Sequence, residues 1–224
     1  MASVTLHYHG TPISPNSEIR SLAGAHFCVS HWRPDQVRLA HEIGQSVMLD
    51  NGAFSAWKSG KPIKDWRPYY KWTDRWLDCP TTWAVIPDVI EGAEDEQDRL
   101  IADWPHGARG VPVWHMHAPL DRLLQLVDDH GKVCFGSSGQ YRTVMSAAWQ
   151  ARCDEAWDAL SVAHARTPWV HMLRGMRTVF GRWPFASVDS TDIGRNHGKN
   201  KDALRRLDRW DARQAPATWM FGNA

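Results

Sequence analysis

The sequence predicts a single α/β domain, a compact barrel of eight parallel strands with helices between them, the (β/α)8 or TIM-like class. The chain has 224 residues, close to the ~250 residues that are typical of such a barrel. Short apolar runs alternate with helix-like segments along the whole chain. No linker, internal repeat or low-complexity stretch divides it, so we expect residues 1–224 to form one domain. An open, doubly wound sheet shows the same alternation and is the alternative fold.

The predicted strands are short, rich in β-branched and aromatic residues, and flanked by Gly or Pro, as buried parallel strands usually are. In chain order they are Thr5–His9, His26–Ser30, Val47–Asp50, Trp83–Asp88, Val111–His115, Lys132–Gly136, Trp169–Leu173 and Phe185–Asp189.

Helical patterns fall between most of these strands. The segment after the fourth strand begins with acidic residues, which the helix dipole favours. The segment after the fifth has Pro in its first turn and apolar residues on one stripe. The predicted helices are Pro34–Ile43, Trp66–Leu77, Glu94–Trp104, Pro119–Asp129, Thr143–Ala163 and Lys199–Trp210.

Composition and charge exclude several classes of protein. Hydrophobic residues make up 43% of the chain and the formal net charge is +1, so it is neither disordered nor attracted as a whole to nucleic acid. No apolar run approaches the ~18 residues of a membrane span, and the start of the chain does not resemble a secretory signal. The four cysteines lie far apart, which argues against a zinc knot and an oxidising compartment. We expect an intracellular, cytoplasmic protein that does not contact membranes.

Polar residues recur where predicted strands end, which is where the functional residues of a barrel cluster. Asp50, Asp88 and Asp189 each end a strand, His115 and His117 end another, and a Gly-Ser-Ser-Gly turn follows the sixth. Each feature alone fits a turn or a helix cap. Three carboxylates at three strand ends together favour a functional site.

Three kinds of function fit these residues. Paired carboxylates support nucleophilic and acid/base chemistry at an acetal-like carbon. His115, His117, His171 and Asp189 instead resemble the ligands of a metal-dependent barrel hydrolase. Barrel amidohydrolases, however, place the His-x-His pair at the first strand, and here it falls near the fifth. The third hypothesis is a barrel that binds a base or a nucleic acid without chemistry.

The order of these motifs resembles the tRNA-guanine transglycosylase superfamily, and more closely its phage and bacterial DNA branch, which inserts 7-deazaguanines into DNA. The resemblance covers about residues 45–196. Leu49–Phe54 (LDNGAF) is similar to the family's Asp-Ser-Gly-Gly-Phe segment, which carries an acid/base aspartate. Ile86–Asp88 resembles the strand whose aspartate recognises the incoming base. Pro112–His117 takes the place of the strand that brings a base-contacting glutamine, with histidines instead.

The remaining motifs follow in the family's order. Phe135–Gly139 matches the backbone site that contacts the deazapurine edge, and His171–Gly175 resembles the strand before the nucleophile strand. Val188–Thr191 falls where the nucleophilic aspartate stands, so Asp189 is favoured over Asp192. The zinc subdomain of the tRNA-acting members is missing, since no cysteine follows Cys153. DNA is therefore the expected partner, and tRNA is less favoured.

The resemblance implies base exchange without a metal, redox cofactor or ATP. Asp189 attacks C1′ and displaces guanine, Asp50 moves the proton, and a 7-deazaguanine such as preQ0 then attacks the covalent intermediate, with retention of configuration. The residues assigned to substrate binding are Asp88, Asn51, Gly52, Phe54, His115, His117, Gly136, Ser137, Ser138 and His171.

A target nucleotide has to be flipped out of a duplex or single-stranded to react. Because the net charge is near zero, contact with a polymer needs a local basic surface, and the C-terminal segment offers one unless it is only a solvated last helix. Trp57 and Trp183, beside the proposed site loops, are candidates for base stacking or for packing. The residues assigned to nucleic-acid binding are Arg195, Lys199, Lys201 and Arg205.

Overall fold

The structure of the protein is a computed structural model, which describes residues 4–196, 198 and 202–220. Nine parallel strands form a nearly closed barrel, with helices between them on the outside. Every described strand pair is parallel, and the first strand of the chain also pairs with the last. The predicted single α/β TIM-like barrel is confirmed.

The strands and helices alternate along the chain. The strands are β1 Leu6–Gly10, β2 His26–Ser30, β3 Ser46–Asp50, β4 Thr82–Val85, β5 Gly110–Val111, β6 Val113–His115, β7 Lys132–Gly136, β8 Trp169–Met172 and β9 Ser187–Ser190. The helices are α1 Asn16–Arg20, α2 Val37–Ile43, α3 Ala53–Lys58, α4 Arg67–Asp74, α5 Glu94–Ala102, α6 Leu120–His130, α7 Ala147–Ala163, α8 Asp192–Asn196 and α9 Ala203–Asp211.

The fifth predicted strand is divided into β5 and β6 at Pro112, which is why the barrel has nine strands rather than eight. Proline has no N–H and cannot donate to a strand ladder. β5 pairs with β4, whereas β6 pairs with β7. The Pro112 carbonyl still accepts a hydrogen bond from the Cys134 N–H at 2.8 Å. The break therefore lies where the barrel closes.

The predicted helices are present, with bounds that differ by up to four residues. α7 begins at Ala147 rather than Thr143, because the Ser146 side chain caps it by accepting a hydrogen bond from the Trp149 N–H. α1, α3 and α8 were not predicted; each has five or six residues, too few for a helical period to show. The last helix was predicted to start at Lys199, which lies outside the described residues; α9 begins at Ala203.

The barrel interior is filled with side chains. Tyr8 lies at its centre, where its hydroxyl accepts hydrogen bonds from the Trp83 indole N–H at 2.9 Å and the Ser46 hydroxyl at 3.1 Å. The interior cluster consists of Tyr8, Cys28, Met48, Val85, Val111, Val113 and Cys134. Because the interior is packed, open space for a ligand is left at the ends of the strands.

Many of the 14 tryptophans pack between the sheet and the outer helices. Trp114, Trp149, Trp157 and Trp183 are all less than 2% exposed. Trp183 packs against Trp149 in a T-shaped contact, with ring centroids 5.0 Å apart. Trp183 is therefore a core residue, and its candidacy for base stacking was wrong.

None of the helices within the described ranges combines the length and the apolar character needed to cross a membrane.

We expect the Phe135→Ala variant to lose ~3–5 kcal/mol of unfolding free energy, because the ring is fully buried between the barrel and α7. Its centroid lies 4.8 Å from that of Trp114 and 5.7 Å from that of Phe185. Urea denaturation measures the loss. The control is Phe180→Ala, at a side chain that is 52% exposed, for which we expect a change below ~1 kcal/mol. Equal losses in the two variants would contradict this placement of the core.

Candidate functional site

A cavity of about 460 Å³ opens at the carboxyl ends of the strands. Asp50 at the end of β3, Asp88 in the loop after β4, and Asp189 in β9 all line it. The parallel strands of a barrel end on one side, so three residues distant in sequence meet there. The other predicted site residues that line the cavity are Asn51, Phe54, His115, Gly136, Ser137 and Arg195.

Asn51 uses its side chain to fix the Asp88 carboxylate. Its amide nitrogen donates to Asp88 Oδ1 at 2.7 Å and to the Ile86 carbonyl at 2.8 Å. Its amide oxygen accepts from the Ala53 N–H at 2.8 Å, at the start of α3. Asn51 is only 2% exposed and its donors and acceptor are used. It therefore positions Asp88 and the loop.

Gly52 orients Asp50 and does not line the cavity. Its φ of +80° lies in the left-handed region, where glycine has no steric penalty. A Cβ at this position would lie 3.0 Å from the backbone nitrogen of Trp32, a tighter contact than most side chains make. The Gly52 N–H donates to Asp50 Oδ2 at 3.2 Å. The Asn51-Gly52 turn thus holds two of the three carboxylates.

His115 stands beside Asp88 at the cavity wall. Its Nε2 lies 3.1 Å from Asp88 Oδ2, and both side chains are less than 10% exposed. The angle is unsuitable for a hydrogen bond, and neither ring nitrogen has a hydrogen-bond partner among the described residues. At Gly136 a Cβ would lie 3.3 Å from His115 Nδ1 and 2.9 Å from Val113 Cγ1. The glycine therefore leaves room for the imidazole.

Asp189 is held from two sides and is 7% exposed. Its Oδ1 accepts a hydrogen bond from the Arg174 backbone N–H and lies 3.2 Å from His171 Nε2. The other ring nitrogen of His171 bonds the Ser187 hydroxyl at 2.8 Å. His171 is fully buried against Tyr8 and does not line the cavity. Its predicted contact with substrate is therefore corrected: it positions Asp189.

His117 and Ser138 bond each other instead of facing the cavity. His117 Nδ1 lies 2.7 Å from the Ser138 hydroxyl, and His117 lines a smaller pocket of about 210 Å³ that also contains Gln97 and Arg122. The prediction that these two residues bind substrate is not what the structure shows. Ser137 does line the cavity, but its hydroxyl accepts from the Trp149 indole N–H at 3.0 Å.

Among the three carboxylates of the cavity, Asp50 has the raised pKa. The pKa of its carboxyl is raised from 3.8 to about 6, mainly by desolvation and also by the negative charges of Asp189 and Asp88. Hydrogen bonds from Ser30 and the Gly52 N–H act in the opposite direction. A carboxyl with this pKa is partly protonated near neutral pH, which suits a group that both gives and takes a proton.

Arg174 is a site residue that sequence reasoning missed. Its guanidinium carbon lies 3.5 Å from the centre of the Phe54 ring, and Nη2 donates to the Ser137 carbonyl at 3.2 Å. Its φ of +57° is unusual for a residue with a side chain. This backbone conformation lets one residue place an N–H on Asp189 and a cation over the cavity. The basic residue within the HMLRG motif was the available signal.

Asp192, the alternative nucleophile, lies outside the cavity. Its carboxylate accepts hydrogen bonds from Asn196, Arg206 and Trp210 at 2.9–3.1 Å. Partial burial raises its pKa, but these hydrogen bonds outweigh it, so the pKa is lowered overall. Asp192 is thus a structural anchor between α8 and α9, and the geometry favours Asp189.

The four residues predicted to bind nucleic acid do not lie together in the structure as described. Arg195 is exposed at the cavity rim. Arg205 is exposed on α9 and does not line the cavity. Lys199 and Lys201 lie outside the described residues. Trp57 is 37% exposed beside Phe54, with ring centroids 5.8 Å apart.

The histidines that suggested a metal site have separate partners. His115 adjoins Asp88, His117 bonds Ser138, and His171 bonds Ser187 and Asp189. Within the part of the chain that the structure describes, no three His, Cys, Asp or Glu side chains are arranged to hold a metal ion.

No family model matches the chain, and no curated protein matches it. Among solved structures it is similar to tryptophan synthase from M. tuberculosis in an open form with BRD0059 bound. The TM-score is 0.51 at 13% sequence identity, over 94% of this chain and 92% of that chain. At this identity the likeness shows the fold alone.

We expect the Asp50→Asn variant to be more stable than the wild type at pH 7, by up to ~3 kcal/mol. The folded-state pKa of about 6 lies above the ordinary 3.8, so the folded protein binds the proton more tightly than the unfolded chain. Wild-type stability from this group is therefore present below pH 3.8 and is lost as the pH rises through 6. The amide does not titrate, so the difference between the variants grows across that window. Urea denaturation at pH 4 and pH 7 measures it.

Asp65→Asn is the control, because the pKa of this carboxyl is shifted in the opposite direction. Hydrogen bonds from Arg67 lower the pKa of this exposed carboxyl to about 2, so its contribution to stability is lost only as the pH falls towards 2. An Asp50→Asn difference that is the same at pH 4 and pH 7 would contradict the raised pKa.

Proposed function

We propose that the protein is a guanine transglycosylase, which exchanges guanine in DNA for a 7-deazaguanine base through a covalent intermediate on Asp189. The observation that carries the proposal is the meeting of Asp50, Asp88 and Asp189 in one cavity of about 460 Å³, with each carboxylate in a different environment. A cavity of this size suits a nucleoside-sized ligand.

The environment of Asp189 is that of a nucleophile. The Arg174 N–H and His171 fix one carboxylate oxygen, Oδ1, which leaves Oδ2 for reaction. In the first step the Asp189 carboxylate forms a bond to C1′ while the bond from C1′ to guanine N9 breaks. In the second step N9 of the 7-deazaguanine attacks C1′ and the carboxylate leaves. Two inversions give retention of configuration.

Asp50 supplies the proton transfers. With a pKa of about 6, its carboxyl can be protonated when guanine leaves and gives the base a proton. It is then ionised and takes the proton that the incoming 7-deazaguanine loses from N9. The proton balance is restored at the end of each exchange.

Asp88 is placed to recognise the base. Asn51 holds its Oδ1 by a hydrogen bond, and Oδ2 makes no hydrogen bond to His115, so it is available to a donor of the base. The N1–H and 2-amino group of guanine, which 7-deazaguanines retain, are donors that suit a carboxylate. Phe54 and Arg174 form a flat wall against which a purine ring fits.

The polymer is DNA rather than tRNA in this proposal, and the protein acts in the cytoplasm. Support comes from the resemblance of the motifs to the DNA branch. The target nucleotide has to leave the helical stack, because C1′ cannot otherwise reach Asp189 at the bottom of the cavity.

We expect Asp189→Asn to lose at least ~10³-fold in base exchange, because an amide is a poor nucleophile. The measurement incubates protein with single-stranded DNA, or with tRNA, and labelled guanine or preQ0, followed by mass spectrometry of the nucleosides. The wild type should also give a protein–DNA adduct on a denaturing gel, and the variant should not. Asp192→Asn is the matched control, and we expect it to keep both the base exchange and the protein–DNA adduct. Exchange that persists in Asp189→Asn and is lost in Asp192→Asn would reverse the assignment.

We expect the pH dependence of kcat/KM for exchange to show a limb near pH 6 in the wild type, from Asp50. In Asp50→Asn the limb should be absent and the rate lower by ~10²–10⁴-fold, the usual contribution of general acid–base catalysis. If Asp50→Asn keeps the limb near pH 6, a group other than Asp50 titrates there.

A further inference from the structure

A groove of about 580 Å³ lies beside the cavity and shares Arg174 and Ser190 with it. Its far wall comes from the 3-10 turn Met176–Phe180, which follows β8, and from α9. The groove therefore leads from the proposed nucleophile strand out to the surface.

The groove carries uncompensated positive charge. Arg177 and Arg209 are exposed, and neither side chain has a hydrogen bond or an ion pair within the described ranges. The acidic residue of the groove is Asp192, whose carboxylate is already occupied by Asn196, Arg206 and Trp210. In a protein of net charge +1, this is a local site for an anion.

An exposed aromatic side chain lines the same groove. Phe180 is 52% exposed, which is unusual for a ring of this size. Trp210 supports it with ring centroids 5.8 Å apart, and the Arg213 guanidinium lies 5.4 Å from its centre. Proteins bind unpaired nucleic-acid strands with exposed aromatic rings bordered by arginines: a base stacks on the ring, and phosphates contact the cations.

We propose that this groove binds single-stranded nucleic acid next to the nucleotide that enters the cavity, with phosphates on Arg177 and Arg209 and a base on Phe180. The inference rests on the proposed function for what occupies the cavity. A simple anion site would not need the exposed ring, and the bases of an intact duplex are stacked on one another and cannot reach it.

The groove shares Arg209 with the C-terminal basic surface that the sequence suggested, but only part of that surface contributes to it. Arg205 lies four residues before Arg209 on α9, so it is one turn away on the same side of the helix. Arg206 is half-buried and forms an ion pair with Asp192. The residues that complete the groove, Arg177 and Phe180, precede β9 and come from a different part of the chain.

The test is the binding of a fluorescein-labelled single-stranded DNA of about 12 nucleotides, followed by anisotropy over a range of salt concentrations. We expect the double variant R177Q/R209Q to bind at least ~10-fold more weakly and to lose about 1.4 from the slope of log K against log salt, 0.7 for each phosphate contact. The matched control is R38Q/R75Q, which removes two exposed arginines, from α2 and from the end of α4, that have no ion pair with any described residue. Equal effects in the two double variants would overturn the proposal.

A second arm tests the base on Phe180. The wild type should prefer the normal oligonucleotide to an abasic one of equal length by ~10-fold, and Phe180→Ala should lose that preference. If Phe180→Ala keeps the preference, or if heparin binds the wild type as tightly as the oligonucleotide does, the groove is a general polyanion surface and the proposal is wrong.

These binding measurements need no base exchange, so the two proposals fail separately. Absence of exchange in the wild type, together with weaker binding by R177Q/R209Q, would reject the transglycosylase and keep the groove. Normal exchange and unchanged binding in that variant would reject the groove and keep the transglycosylase.

Discussion

Three carboxylates in one barrel mouth are the constraint on which the rest of the site depends. Like charges in a partly desolvated cavity repel each other, so each needs compensation. Asp88 is compensated by a hydrogen bond from Asn51, and Asp189 by the Arg174 N–H and His171. Asp50 has weaker support, and the pKa of its carboxyl is raised accordingly. One geometry therefore gives three carboxylates in three different environments.

Arg174 connects this electrostatic balance to the surface. Its main chain holds Asp189, its guanidinium covers Phe54, and its side chain also borders the groove that contains Phe180. The left-handed backbone at Arg174 persists because these contacts fix it on several sides. A strand in the groove and a nucleotide in the cavity would therefore meet the same residue.

The alternation of strands and helices made the barrel predictable, and parallel strands of a barrel end on one side, so Asp50, Asp88 and Asp189 were predictable neighbours. The hydrogen-bond partners of the site residues were not predictable from the sequence. His171 and His117 are chemically alike in sequence, but one is buried behind Asp189 and the other bonds Ser138. Trp183 shows the same limit, since its place in the core depends on Trp149 from a distant helix.

The sequence by itself determined the fold class and the three carboxylates at the strand ends, because strand periodicity and the polar residue after each apolar run are local properties. Only the tertiary structure decided the rest. It divided the fifth strand at Pro112, placed Arg174 over the cavity, tied Asp192 to α9 and joined Arg177 to Arg209 in a groove. Each of these depends on contacts between elements far apart in the chain, whose direction and distance a linear pattern does not contain.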